Sequence, residues 1–327
     1  MTDPVTQSSA TAPTTTTERP GRIDAVPVRH PGRWVAVAVI AVLTLMFVHL
    51  VLTNTAFEWG FVFEAMRQQP VLQGFYVGTL LVTVMSMAVG VFGGVILAMM
   101  RLSPNPVLSG VAWLFTWFFR SVPRLVLLTT MGALGILFRN GLSFGVPFDW
   151  KIIEWLGLSG SWRFLTLDAN QVLSGIAGGV LGLGLSEAAY MAEIARAGIL
   201  SVDRGQAEAA EALGMNRGKT MRRVVLPQAM RVIVPPTGNE TIAMLKDTSL
   251  LIGLPLTTEL FFQLQSIGSR NFKTFPVLVA ATLFYLIATS VLMVGQYYLE
   301  RHFGRGFGQK KPKASKRFAR PAGAGGV

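Results

Sequence analysis

Cysteine is absent from the 327-residue chain, and histidine occurs only as His30, His49 and His302. These absences remove disulfide frameworks, thiolate zinc sites and cysteine nucleophiles, and histidines so dispersed cannot assemble a metal centre. Charge is also scarce. Asp, Glu, Lys and Arg together make up 14% of the residues, against about a quarter in an ordinary soluble domain. With 51% hydrophobic residues and a mean hydropathy of +0.48, the chain reads as one whose solvent is largely lipid. The charge that remains is lopsided, 29 Lys and Arg against 17 Asp and Glu, for a net +12. Such a surplus can point to nucleic acid, but membrane proteins concentrate Lys and Arg in cytoplasmic segments, so the placement of the charges decides.

Residues 1–32 are rich in Thr, Ser and Pro without apolar periodicity and are expected to be a disordered tail, since they cannot bury enough surface to offset ordering entropy. Trp34 to Thr53 is one bilayer thickness of apolar residues, and it lacks the short core and small-residue cleavage site of a signal peptide. An external loop then reaches to residue 72. Phe75 to Met100 forms a second span carrying Gly74, Gly78, Gly90 and Gly94, pairs four apart that permit close helix approach. Val107 to Phe138 is apolar but interrupted at Arg120-Ser121-Val122-Pro123-Arg124, which is costly in lipid unless it faces protein or a cavity. Residues 139–171, with Trp150, Trp155 and Trp162, suit an interfacial external loop. Val172 to Ala197 and Phe275 to Leu299 are further spans. Between them, Val232 to Leu256 is of low hydropathy and carries Pro235 and Pro236, which fits a buried, broken helix.

The expectation is thus an all-α integral membrane protein with six transmembrane helices, five forming a core and the first an accessory. With the N-terminus inside, twenty Lys and Arg lie on inner segments and six on outer ones, while Arg120, Arg124 and Lys246 fall within spans. That asymmetry favours both termini in the cytoplasm. It also assigns the basic C-terminal residues 304–327 to a solvated tail near anionic lipid rather than to nucleic-acid binding.

The cytoplasmic loop 198–231 has structure of its own. Asp203 can cap a helix in a capping box with Gln206, the Ala-rich run to Leu213 favours helix, and Gly214 is a natural stop. Asn216 can cap a second short helix that Pro227 ends or kinks. Two short helices meeting at a Gly turn, with small Ala faces, make a docking knob. The segment Gly214-Met215-Asn216-Arg217-Gly218-Lys219-Thr220 falls short of a phosphate-binding loop, having three residues between its glycines instead of four and no preceding strand.

These residues carry a resemblance. Glu208-Ala209-Ala210, Gly214 and Val224-x-Leu226-Pro227 resemble the coupling-loop signature of permease subunits of binding-protein-dependent ABC importers. Ala189-Tyr190-x-x-Glu193, Arg196-x-Gly198-Ile199, Pro235-Pro236-x-Gly238-Asn239-Glu240 and Leu245-Lys246-Asp247-Thr248-Ser249-Leu250 are similar to the polar amino acid subfamily, over residues 73–303. The resemblance implies a pathway-forming subunit of the bacterial cytoplasmic membrane. It would pair with itself or a homologous permease, and receive a polar or charged amino acid from an external solute-binding protein. A cytoplasmic ATPase dimer, which alone would hold ATP and Mg, would couple through Glu208, Ala209, Ala210 and Gly214. No catalytic residue, metal site or cofactor is expected on this chain.

Substrate-path candidates follow from intramembrane charge, which is functional by default. Arg120 and Pro123 match the family's Phe-Arg-x-x-Pro element, where a helix break can free N–H groups for a carboxylate, although Arg120 can equally anchor the inner face. Glu187 lies about 15 Å from the inner end of its helix, where relatives usually have a small polar residue. It can favour a cationic substrate group or pair with Arg120, Arg124 or Lys246. Arg124 stands where the family usually has Leu. Glu240 and Lys246 complete the set. The alternative reading is an ion-coupled secondary amino acid transporter, which would use the same charges without a docking loop. A membrane enzyme finds no nucleophile and base, and a non-transporting ATPase anchor would leave vesicles impermeable.

Overall fold

The computed structural model describes residues 31–138, 141–254 and 256–304. The two tails expected at the chain ends fall, apart from Pro31, Gly32 and Gly304, outside the described residues. The chain divides into two compact units, residues 1–54 and 55–327. The first contains helix α1 (Pro31–Thr53). None of its residues is buried and it is apolar all round, as befits a helix whose neighbour is lipid.

The second unit contains α2 (Trp59–Arg67), α3 (Gln69–Gln73), a π-helical stretch (Gly74–Leu81) and α4 (Val82–Arg101). From Gln69 to Arg101 the chain is one helical run of 33 residues, so the second span starts earlier than the sequence suggests. Helices α2 and α3, assigned by sequence to an external loop before residue 73, share a hydrophobic cluster in which Val62, Ala65 and Val71 pack with Leu260, Leu264 and Val277. Next come α5 (Pro106–Ser121) and α6 (Arg124–Leu137), bent by 102° at the Arg120–Arg124 interruption. Asn105 accepts a hydrogen bond from the Val107 N–H at the start of α5, and Pro123, extended at ψ 134°, separates the two helices.

The expected external loop folds into a short antiparallel hairpin, β1 (Leu142–Gly145) and β2 (Arg163–Leu167), enclosing α7 (Asp149–Trp155). Among the described residues it holds the only strands. Then follow α8 (Ala169–Leu173), α9 (Gly175–Leu200), α10 (Arg204–Ala212), α11 (Arg217–Thr220) and a π turn (Met221–Val225). Helix α12 (Leu226–Asp247), a 3₁₀ turn (Thr248–Gly253), α13 (Leu260–Asn271) and α14 (Thr274–Phe303) complete the unit.

Glycine sets the central packing. Helices α4 and α9 run parallel, with Gly90 against Glu187, Gly93 against Ala188 and Gly94 against Met191. A Cβ on Gly90 would lie 2.5 Å from Glu187 Cγ, so only glycine lets the backbones close to this distance. Helix α12 runs antiparallel to α9. Gly198 faces Ile233 near the start of α12, and Gly179 faces Leu251 just beyond its end. The core between them is a cluster of Leu127, Leu128, Met131, Leu183, Met244 and Leu251.

Two readings of the loop and of α12 need correction. Pro227 does not end a helix; helical backbone runs from α11 through the π turn into α12, whose second residue it is. Nor does α12 break at Pro235 and Pro236, which lie inside one helix that gives way only at Thr248. Four helices and the bent α5–α6 pair have the length and apolarity to cross a membrane. Helix α12 does not meet that standard, so six spans are not reached by composition.

Candidate functional site

The interruption between α5 and α6 places Arg124 at the first position of α6, against α9 and α12. Its guanidinium pairs with Glu187 at 2.9 Å and with Asp247, and stands 4.9 Å from the centre of the Tyr190 ring. Three helices that are remote in sequence are therefore joined by one side chain. Glu187 is completely buried. One of its oxygens takes the Arg124 bond, while Oε1 is buried without a hydrogen-bond partner. A buried carboxylate oxygen in that state is costly, which marks the position as one with a purpose beyond packing.

Of the residues singled out from sequence, Glu187 is thus in a buried ion pair, with Arg124 among the three partners considered. Glu240 lies about two turns before Asp247 on α12, on the same face. Arg120 is exposed and sits 5.6 Å from the centre of the same Tyr190 ring. It lines a cleft of about 530 Å³ with Arg101, Trp113, Trp117 and Glu193. Arg101 contacts Glu193 at 3.6 Å, and Arg196 holds Glu193 at 2.9 Å. Glu187, Tyr190 and Glu193 are spaced three apart on α9 and share a face, so guanidinium groups and acids alternate down it. Lys246 is not part of this cluster; it is exposed and lines a separate cleft with Phe261, Tyr285 and Thr289. Pro123 is exposed and supplies the bend.

In the cytoplasmic loop, Asp203 caps α10 by accepting from the Gly205 N–H at 2.7 Å. No reciprocal bond from the Gln206 side chain appears among the described contacts, so the capping box is reduced to a single cap. Asn216 caps α11 as expected, accepting from the Lys219 N–H. At the turn between them the Met215 N–H donates to Ala210 O and the Gly214 N–H to Glu211 O, the paired bonds of a Schellman stop. Gly214 sits at φ +82°, where a side chain is strained. Glu208, Ala209 and Gly214 are exposed and Ala210 is buried. The turn also lifts Leu213 into solvent at 85% exposure. Sequence reading passed over this residue, although an apolar side chain directly before a Gly stop was the available signal.

Comparison with known proteins agrees with this geometry. Residues 90–305 match the binding-protein-dependent transport system inner membrane component family, and the chain belongs to that family. It is 45% identical to the arginine transport system permease protein ArgU of Corynebacterium glutamicum, over 90% of this chain and 87% of that one. It is 32% identical to the probable amino-acid permease protein YxeN of Bacillus subtilis, over 75% and 95%. Among solved structures, an amino acid ABC transporter crystallised with histidines matches at TM-score 0.54 and 28% identity, covering 71% of this chain and 94% of that one. The protein is accordingly a multi-pass transport subunit of an inner membrane, not an enzyme. It works with a solute-binding protein and with ATPase subunits that hydrolyse ATP separately. The ion-coupled alternative finds no support.

Proposed function

We propose that the chain conducts a cationic amino acid of the arginine type through the α5–α6 bend, past Tyr190, into the cytoplasm. The observation that carries this reading is the unpartnered oxygen of Glu187 in a cluster where Glu187, Asp247 and Glu240 outnumber Arg124. A buried site with surplus negative charge favours a ligand cation. The name of the Corynebacterium relative supports the same class of substrate. Arg120 and the cleft beneath it continue the route toward the cytoplasm, with Arg120 offered to the substrate carboxylate.

Glu208, Ala209 and Gly214, with Leu213 at the apex, are the contacts for an ATPase dimer that binds ATP and Mg, and the coupling residue Ala210 acts from beneath them by packing the knob. This chain pairs with a second permease, itself or a homologue. A rigid, doubly capped helix pair can pass ATPase closure to α9 and α12 as a rocking motion, giving alternating access. Six crossings follow if α12 counts, because it runs antiparallel along α9 and α14 returns beside it; both tails are then cytoplasmic.

The test is ATP-driven uptake by proteoliposomes holding the permease, its ATPase and its binding protein. Deleting Glu208–Gly214 should abolish uptake. Glu187→Gln should lower arginine uptake roughly tenfold or more, the worth of a charge-assisted hydrogen bond, with the complex still assembled. Uptake that survives the deletion, or without the ATPase, overturns the reading.

A further inference from the structure

Resting on that reading, we propose that Arg124 is an exchangeable counter-ion: a tethered guanidinium that occupies the substrate's own cation site and is displaced when the substrate arrives. The cage around it has what a free guanidinium would need. Two carboxylates, Glu187 and Asp247, approach it from different helices. Arginine's planar fork suits such paired acceptors. The Tyr190 ring lies 4.9 Å away, a cation–π distance. Gly90 admits the Glu187 side chain, since a Cβ there would meet Glu187 Cγ at 2.5 Å, so the acid is packed in place against α4.

Two features allow Arg124 to leave. It is the first residue of α6, directly after Pro123 in the 102° bend, so its side chain leaves from a helix end rather than from between two packed turns. The Tyr190 ring that Arg124 faces also has Arg120 at 5.6 Å, so this ring accepts more than one guanidinium and can stay in contact with Arg124 while its bonds to the carboxylates break. A third feature shows that the cage is not saturated. Arg124 leaves Glu187 Oε1 without a partner, so the site has capacity for a further donor before the resident one departs. Exchange then runs in sequence. The incoming cation bonds the free oxygen, competes for Glu187 and Asp247, and Arg124 rotates toward Tyr190, loosening the link between α6, α9 and α12. On release the resident guanidinium returns and expels the substrate inward.

A brace of purely mechanical purpose would use the same contacts, and binding measurements separate the two. A side chain tethered beside its site has an effective concentration on the order of millimolar, so removing it should unmask tighter binding. In the detergent-solubilised permease–ATPase complex without binding protein, Arg124→Ala should bind radiolabelled arginine at least about tenfold more tightly than wild type. Its uptake turnover in proteoliposomes should fall because release is no longer driven. Methylguanidinium should raise the melting temperature of Arg124→Ala and not of wild type, and urea, its neutral counterpart, should raise neither. Arg124→Lys, which keeps charge but not the fork, should shift arginine affinity in the same direction by a smaller factor and guards against a failure of Arg124→Ala to fold. Unchanged or weaker arginine binding by both variants in assembled complexes overturns the exchange, as does the absence of a methylguanidinium shift. If the wild-type transporter carries no arginine, the proposed substrate is wrong, and the methylguanidinium shift still decides whether the cage takes a free guanidinium.

Discussion

Glu259 shows how much a single buried acid can organise. It is fully buried at the start of α13, and its two oxygens accept from four donors. Thr79 Oγ1 and Tyr285 Oη lie at 3.1 and 2.8 Å from one oxygen, and the Phe261 and Phe262 N–H groups at 2.7 and 3.1 Å from the other. This set ties the π-helical stretch, α13 and α14 together, and Gly74 and Gly78 admit the Thr258–Leu260 backbone to it. Contrast this with Glu187, whose free oxygen is the basis for a ligand; a satisfied carboxylate is structural, an unsatisfied one is available. Replacing Glu259 by Ala strands several donors, each at about 1–3 kcal/mol, so Glu259→Ala should lose about 3 kcal/mol or more in reversible unfolding of the purified protein in detergent. Tyr285→Phe should lose about 1 kcal/mol. Equal stability of Glu259→Ala and wild type would contradict the assignment. Nothing in the sequence announced this residue. Glu is a weak N-cap choice, and its partners lie up to 180 positions away, beyond any local pattern. Glu187 was legible because an acid in an apolar run is conspicuous, whereas its partner had to be read from the fold: Arg120, Arg124 and Lys246 were equivalent on paper.

Helix α12 carries the next lesson, at the scale of an element. Two consecutive prolines remove two N–H donors and would ordinarily kink or end a helix, which is why a break was expected there. The structure keeps the helix whole, and a neighbour supports it at this point. Gln296 of α14 donates to Pro235 O at 2.8 Å and to Glu300 at 2.8 Å, and Gly238 leaves the space its amide fills. The bond to Pro235 O ties α14 to α12 beside the weakened turn, a tertiary contact that propensity cannot reveal. Gly238→Ala puts a methyl group where the Gln296 amide lies. The amide must leave, and the variant should lose about 1–3 kcal/mol of stability by the usual cost of overpacking. Gln296→Ala in the same background should recover part of that loss, because the collision is gone; melting curves of the single and double variants would show it. If the double variant is less stable than Gly238→Ala alone, the contact with Gln296 is not what limits this position. The loop elements were more legible than α12 because their signals are local. The Asn216 cap and the Gly214 stop depend on a few adjacent residues.

For the whole molecule, the issue is the number of crossings. Composition alone yields four helices and one bent pair, an odd total that would put the two basic tails on opposite sides. The packing points the other way. Helix α12 and its 3₁₀ extension lie antiparallel along α9 from Ile233 at Gly198 to Leu251 at Gly179. At about 1.5 Å per residue its 22 residues measure roughly 33 Å, enough for a bilayer core of about 30 Å. Only Ala229, Ile242, Met244 and Leu245 of α12 are buried, while Arg231, Asn239 and Lys246 are exposed, so a crossing α12 needs those polar residues to face a second permease or the pathway rather than lipid. Hydropathy fails for α12 because it measures affinity for lipid, and a helix that faces protein or a polar pathway needs little of it. The lack of native cysteine makes the question directly measurable, because any introduced thiol is the sole target. Ser9→Cys, Ser159→Cys and Ser315→Cys place one thiol in the N-terminal tail, the loop between the hairpin strands and the C-terminal tail. In intact cells or spheroplasts a membrane-impermeant maleimide should label Ser159→Cys alone, and Ser9→Cys and Ser315→Cys should react only after permeabilisation. Labelling of the C-terminal thiol from outside, with the N-terminal one protected, would mean that α12 does not cross. The coupling loop precedes α12 and would stay on the cytoplasmic side, so the ATPase contact would survive and only α14 and the C-terminal tail would be reversed.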